Sequence, residues 1–315
     1  MRTDWIRPLN DSDGPFATVV LDATHDTADA TERYRLRWRE LRERLADDGA
    51  DEAALAVLDE AVTAADAPDG TAGRVLVADA ARVLLDRHTE FPPERGTAAW
   101  GAVPDLLGVL GAVGEDVATV VVAVDRTGGR VRGVDGTVSE VSTDSGGPVH
   151  KASTAGPGEG TADARVEETW KRNAQAVAEQ VEKSVRAAAD EVRETRRGGA
   201  LTSFATASGR GDGLAVTGLG EVTGATRAHA VETLLVDPAA VPGTELVAGS
   251  DPAAVGEKAD ELVGDTPTLS GPAANVLVRA AVATGAAVVL VHPGDDVTLT
   301  DGVGAVLRFP VGPAS

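Results

Sequence analysis

The sequence predicts an α/β protein made of three consecutive α/β domains, the last a three-layer α/β/α sandwich. Three observations lead there. Short β-branched runs recur along the chain: Phe16–Leu21 (FATVVL), Val117–Val124 (VATVVVAV), Val231–Val236 (VETLLV) and Ala286–Val291 (AAVVLV). Segments with apolar residues at steps of three and four lie between them. Stretches rich in Gly, Ser or Pro interrupt the pattern around residues 91–114 and 195–213. The first feature suits strands buried on both faces, the second amphipathic helices, and the third domain boundaries. The boundaries fall at 1–113, 114–213 and 214–315. A length of 315 residues fits two or three domains.

In the first domain, Phe16–Leu21 is bounded by Gly14-Pro15 and the polar run DATHDTAD, as a strand should be. Thr31–Ala46 is a helix whose apolar face is Tyr34, Trp38, Leu41 and Leu45. Asp51–Ala65 is a second helix carrying Leu55, Leu58 and Val62, and Gly49 between them caps the first, making an αα-hairpin. Arg74–Ala78 and Arg82–Asp86 pair as strands, and Phe91-Pro92-Pro93 ends that unit. Trp100–Val113 contributes a short helix after Pro104.

The middle domain starts with Val117–Val124, the strongest strand signal in the chain. A turn at Asp125–Gly129 leads to Arg130–Val134, which pairs back. A loop follows, GGPVHKASTAGPGEG from Gly146 to Gly160, too rich in Gly and Pro for regular structure. Thr161 and Asp163 supply cap and first-turn chemistry for a helix. Its apolar stripe is Val166, Trp170, Ala174, Val177, Val181, Val185, Ala188 and Val192. Arg165, Lys171, Arg172, Lys183, Arg186 and Arg193 lie elsewhere on it, among glutamates. The composition of Thr195–Gly213 predicts a connector.

In the last domain, Gly218–His229 is a helix, Val231–Val236 a strand closed by Asp237-Pro238, Pro252–Val263 and Gly271–Thr284 helices, and Ala286–Val291 a buried strand. Val297–Leu299 and Val303–Phe309 are expected to form a hairpin around Asp301-Gly302. No tandem repeat with a fixed period is present.

Composition and motifs exclude several kinds of chemistry. There is no cysteine, hence no disulfide, thiolate metal site or thiol catalysis. The N-terminus MRTDWIRPLNDSDG has no apolar core of a signal peptide, and no apolar run approaches the ~20 residues of a membrane span. The expectation is a cytoplasmic protein without membrane contact. None of the five histidines, His25, His88, His150, His229 and His292, is in helical reach of another. G-x-S-x-G is absent. ATASGRG at 205–211 lacks the Gly-Lys-Ser/Thr of a phosphate loop, and Gly218-Leu219-Gly220 lacks the setting of a dinucleotide site. The expectation is no catalytic residue, no metal and no cofactor. The net charge of −21, taken globally, argues against non-specific nucleic-acid binding, DNA included. That charge is unevenly spread: residues 126–210 hold 13 basic and 12 acidic residues, against 16 and 38 in the remainder.

The block VVVAVDRTGGRV, then His150-Lys151, the glycine loop and ARVEETWKRNAQAVAEQV resembles the bacterial branch of the archaeo-eukaryotic peptide-release-factor family. It is also similar to the actinobacterial ribosome hibernation factors related to Balon. GLAVTGLGEVTGATRAHAVETLLVDP and GVGAVLRFP resemble the last domain of that family, whose fold is shared with kink-turn-binding ribosomal proteins. True release factors of the family carry Gly-Gly-Gln in the loop before the long helix, and the Gln helps position water at the peptidyl ester. The matching positions here are Gly156, Pro157 and Gly158, and the loop holds no Gln; the first, Gln175, is inside the helix. A second departure is length. In the family a strand, a helix and another strand follow the long helix, and here that half-domain is shortened or missing.

The resemblance therefore implies a factor that occupies the A site of idle or stalled ribosomes, in hibernation or surveillance, without peptide release. The residues implied at rRNA are His150, Lys151, Gly156, Pro157, Gly158, Glu159, Arg165, Lys171, Arg172, Arg196 and Arg197. Arginines and lysines there would contact phosphates, fixing position without reading sequence. An elongation-factor-type GTPase is a further partner implied by the relatives. Two other readings stand beside this one. One is a peptidyl-tRNA hydrolase or nuclease using Glu159 and His150, the loop's candidate catalytic groups. The other is a non-ribosomal module whose acidic end domains bind basic proteins.

Overall fold

The computed structural model describes residues 3–25, 29–64, 72–89, 91–114, 121–124, 128–132, 138–142, 187–241, 243–262 and 264–312. In chain order the first strands are β1 (Phe16–Asp22), β2 (Gly73–Ala78), β3 (Val83–Thr89), β4 (Thr97–Gly101), β5 (Val121–Val124), β6 (Gly128–Arg132) and β7 (Val138–Ser142). They are followed by β8 (Ala215–Thr217), β9 (Val231–Val236), β10 (Glu245–Ala248), β11 (Val255–Gly256), β12 (Leu269–Pro272), β13 (Ala287–Leu290) and β14 (Val303–Leu307). The helices are α1 (Ala30–Asp47), α2 (Glu52–Ala64), α3 (Leu106–Val113), α4 (187–210), α5 (Leu219–Arg227) and α6 (Ala273–Ala283). The architecture is α/β, as the sequence predicts. The chain forms two compact units, one from residues 1–116 with 198–315 and one from residues 117–197.

In the first unit an antiparallel sheet has the order β3-β2-β1-β4. Alternation along β1 sorts its side chains between two cores. Ala17, Val19 and Leu21 pack with Tyr34, Trp38, Leu41 and Leu45 of α1 and Leu55, Leu58 and Val62 of α2. Phe16 and Val20 face the other way, with Val75 and Val77, onto Leu106, Val109 and Leu110 of α3. β4 was not foreseen. Thr97–Gly101 (TAAWG) has little alternation of its own and becomes a strand through its register with β1, Val19 opposite Ala98.

A second sheet in the same unit has the order β13-β9-β14-β8, with β13 parallel to β9 and the other pairs antiparallel. Again alternate residues point to opposite faces. Leu234, Val236, Val303, Ala305 and Leu307 join the core that contains α5 and α6. Leu235 and Val306 pack with Phe204 and Leu201 of α4. Helix, sheet and helices make the expected α/β/α sandwich. The core under α5 and α6 is continuous with the α3 face of the first sheet. At that seam an added Cβ on Gly271 would lie 3.0 Å from a Val103 methyl, so the β12 backbone packs tightly against that side chain. A third, small antiparallel sheet has the order β11-β10-β12.

Three expectations are corrected here. Thr195–Gly213 is not a loose connector, because helix continues to residue 210. The Gly198-Gly199 pair costs about 1 kcal/mol per residue in a helix, and burial of Phe204 to 4% exposure offsets it. Pro252–Val263 is not a helix. Its Asp251 side chain accepts from Ala253 N–H, and the chain turns into β11 and a 3-10 turn at Ala259–Glu261. The hairpin expected from Val297–Leu299 and Val303–Phe309 does not form; β14 pairs with β8 and β9, while Val297 and Leu299 pack against the Phe204 cluster.

In the second unit β5, β6 and β7 form an antiparallel sheet in that order. The hairpin between the first two follows the expected pattern, Val122 opposite Val131. β7 was not foreseen, since VSEVS carries little β-branched signal. The glycine loop and the long helix as far as residue 186 lie outside the described residues. No helix among the described residues is long and apolar enough to cross a membrane.

Candidate functional site

Of the residues implicated by sequence, His150, Lys151, Gly156, Pro157, Gly158, Glu159, Arg165, Lys171 and Arg172 lie outside the described residues. Arg196 and Arg197 are on α4. Arg193 and Arg197 each have a carboxylate one turn earlier within reach. Arg193 Nη1 donates to Asp190 at 3.0 Å, and Arg197 Nη2 donates to both oxygens of Glu194 at 2.8 Å. Such i,i+3 pairs on a helix surface contribute only about 0.3–0.5 kcal/mol. A phosphate presents the same forked acceptor as a carboxylate, so it can take the place of Glu194 at little cost. Arg196 is exposed.

Elsewhere, polar groups meet partners from their own chain. The first N–H of α5, in the Gly218-Leu219-Gly220 run, donates to Asp301 Oδ2 at 3.2 Å, and Asp301 takes φ 53° to reach it. That helix end is therefore capped from within. His25 Nδ1 is 3.0 Å from the Ala23 carbonyl, and His229 Nε2 is 4.0 Å from Asp251. No group of three or more His, Asp or Glu among the described residues could hold a metal.

Two buried cations belong to no motif of the sequence. Arg74 in β2 is 2% exposed and Arg279 in α6 is 9% exposed. Each is a lone arginine in an apolar run, GRVLVA and ANVLVRAAVA, and that interruption is the signal available. Arg74 pairs with Asp86 at 2.8 and 2.6 Å and donates to the Tyr34 hydroxyl at 2.9 Å and the Ala61 carbonyl at 3.1 Å. Burial raises the Tyr34 pKa even against the attraction of Arg74.

Residues 118–192 match the model of bacterial archaeo-eukaryotic release factor family 2. Over 98% of its length the chain is 31% identical to uncharacterized proteins of two Mycobacterium tuberculosis strains, Rv2629 of ATCC 25618 / H37Rv and MT2704 of CDC 1551 / Oshkosh, covering 97% of each. The chain belongs to the bacterial archaeo-eukaryotic release factor family. Solved structures similar to it include an archaeal translation termination factor, aRF1, at 12% identity, 96% coverage of both chains and TM-score 0.27. Pelota of Archaeoglobus fulgidus is similar at 14% identity, 98% of this chain, 93% of that chain and TM-score 0.36. With scores this low, neither superposition bears on the architecture.

Proposed function

We propose that this protein is a cytoplasmic ribosome-associated factor that occupies the A site of idle or stalled ribosomes and does not release the peptide. The observation that carries this reading is the family match over residues 118–192, which spans the strand block, the loop and most of the long helix. Within that span the loop has Gly156-Pro157-Gly158 where a release factor needs Gly-Gly-Gln. Glycine offers no side-chain amide to orient water. Glu159, next to it, is a carboxylate that phosphate-rich RNA repels. His150, Lys151 and the loop extend toward the peptidyl-transferase centre, while Arg165, Lys171, Arg172, Arg196 and Arg197 neutralise rRNA phosphates. An elongation-factor-type GTPase delivers the factor under stress.

The proposed organisation is an N-terminal domain at 1–113, a shortened middle domain at 114–213 and a C-terminal domain at 214–315. The alignment to the mycobacterial relatives runs over 367 positions, against 315 residues in this chain, so 52 or more of its positions have no counterpart here.

The test is co-sedimentation with bacterial ribosomes. Association is expected at 50 mM salt and loss by 500 mM, because neutralising phosphates releases counterions. Failure to associate at low salt overturns the reading. Peptide release from stalled ribosome–nascent-chain complexes, abolished by Glu159→Ala, would instead establish the rescue hydrolase.

A further inference from the structure

Among the described residues, the two buried arginines have opposite surroundings. Arg74 finds acceptors in Asp86, Tyr34 and Ala61. Arg279 Nη1 is buried with no hydrogen-bond partner. A guanidinium stays protonated in proteins, so a charged donor is held out of water without an acceptor, a costly arrangement. Burial works to lower the Arg279 pKa, and the charge of Asp13 opposes it. No ion pair joins the two, and Asp13 is exposed.

Asn10, in the 3-10 helix Asp4–Asp11, points its Nδ2 at the Arg279 carbonyl across 3.5 Å, at the outer limit of a hydrogen bond. Asn275, one turn earlier on α6 and 8% exposed, spends its Oδ1 on Leu107 N–H at 3.0 Å. Its Nδ2 reaches Asp105 Oδ1 only at 3.5 Å. The N-terminal segment thus crosses α6 at Arg279, whose Nη1 is a donor in excess of acceptors.

We propose that Arg279 anchors an anion site under the N-terminal segment, and that its ligand is a phosphate-class oxyanion, free or as a small phosphomonoester. The planar fork of arginine matches such an oxyanion. Nη1 is closed to solvent, so entry requires a local opening. The charge of Asp13 competes with the ligand. Because the segment belongs to residues 1–116 and α6 to residues 198–315, the bound anion ties both halves of the first unit together. The inference does not depend on the ribosomal reading.

The test is thermal unfolding of the full chain at matched pH and ionic strength. The additions are sodium chloride, inorganic phosphate or a nucleoside 5′-monophosphate. The wild type is expected to melt roughly 3–6 °C higher with saturating ligand. Arg279→Met should melt no lower than wild type in chloride, since an unpaired buried charge is replaced by an apolar chain, and should not respond to phosphate. Asp13→Asn should respond at lower phosphate concentration than wild type. A response to phosphate alone assigns the free anion, and a response to the nucleotide assigns the ester. Equal responses in wild type and Arg279→Met overturn the proposal, as does no response in any variant. Should Arg279→Met fail to fold, Arg279→Gln and phosphorus-31 line broadening with wild-type protein give the same comparison.

Discussion

Asp79 shows how one side chain organises a turn and leaves a mark on acid stability. Its Oδ1 accepts from the N–H groups of Ala81 and Arg82 at 2.8 Å each, and its Oδ2 accepts from Ser12 Oγ at 2.8 Å. Burial works against its ionisation, but these hydrogen bonds outweigh burial and hold the carboxyl below its ordinary pKa. A carboxyl depressed in the folded state contributes stability that is present above the unfolded value of about 3.9 and is lost as pH falls through the folded value. The urea midpoint of the wild type should therefore decline between pH 5 and pH 2.5, and the decline should be shallower in Asp79→Asn. The same kind of chemistry explains what sequence could not give at residue scale. Arg74 and Arg279 interrupt apolar runs alike, yet one is satisfied and the other is not. The difference lies in residues distant in sequence, Tyr34 and Asp86 for one and Asn10 and Asp13 for the other.

Helix ends show a regularity among the elements. After α1, Gly49 takes φ +85°, with Gly49 N–H on the Ala46 carbonyl and Ala50 N–H on the Leu45 carbonyl. Gly285 after α6 repeats the pattern at φ +67°, bonding Val282 while Ala286 bonds Ala281. α5 ends the same way, with His229 bonding Thr226 and Ala230 bonding Ala225, but His229 stands at φ +55° where glycine would be free of strain. His229→Gly should stabilise the protein by roughly 0.5–1 kcal/mol in urea unfolding. The bonds from Arg308 to the His229, Thr284 and Gly285 carbonyls use backbone acceptors and survive the change. Elements with their own pattern were legible, α1, α2, α6, β1 and β9 among them. Those whose state is imposed by a partner were not. β4 exists by pairing with β1, and α4 beyond residue 195 holds through Phe204 and Leu201 against the second sheet. The candidate site was legible as a motif alone, since Arg196 and Arg197 are the members of that set among the described residues.

At the scale of the molecule, the core that holds α3 and α6 is shared by two stretches of chain. α3 sits between the first sheet and α6, and Asn275 of α6 accepts from Leu107 N–H at the start of α3. Asn275→Ala leaves that N–H without its acceptor and should cost about 1–3 kcal/mol. Residues 1–113 expressed alone should expose Val109 and Leu110 and fail to give a cooperative melt, while co-expression with residues 198–315 should restore one. Survival of residues 1–113 as a monomer with a sharp transition would show that its half of the core suffices. The interruption also sets a schedule for synthesis. Residues 117–197 leave the ribosome between the two halves of the core. At 5–20 residues per second, the newly made α3 face waits roughly 8–34 s for α6 to be translated. During that interval a nascent chain presents a greasy surface to every chaperone and neighbouring polysome, which makes the first third of the protein its most aggregation-prone stage of life.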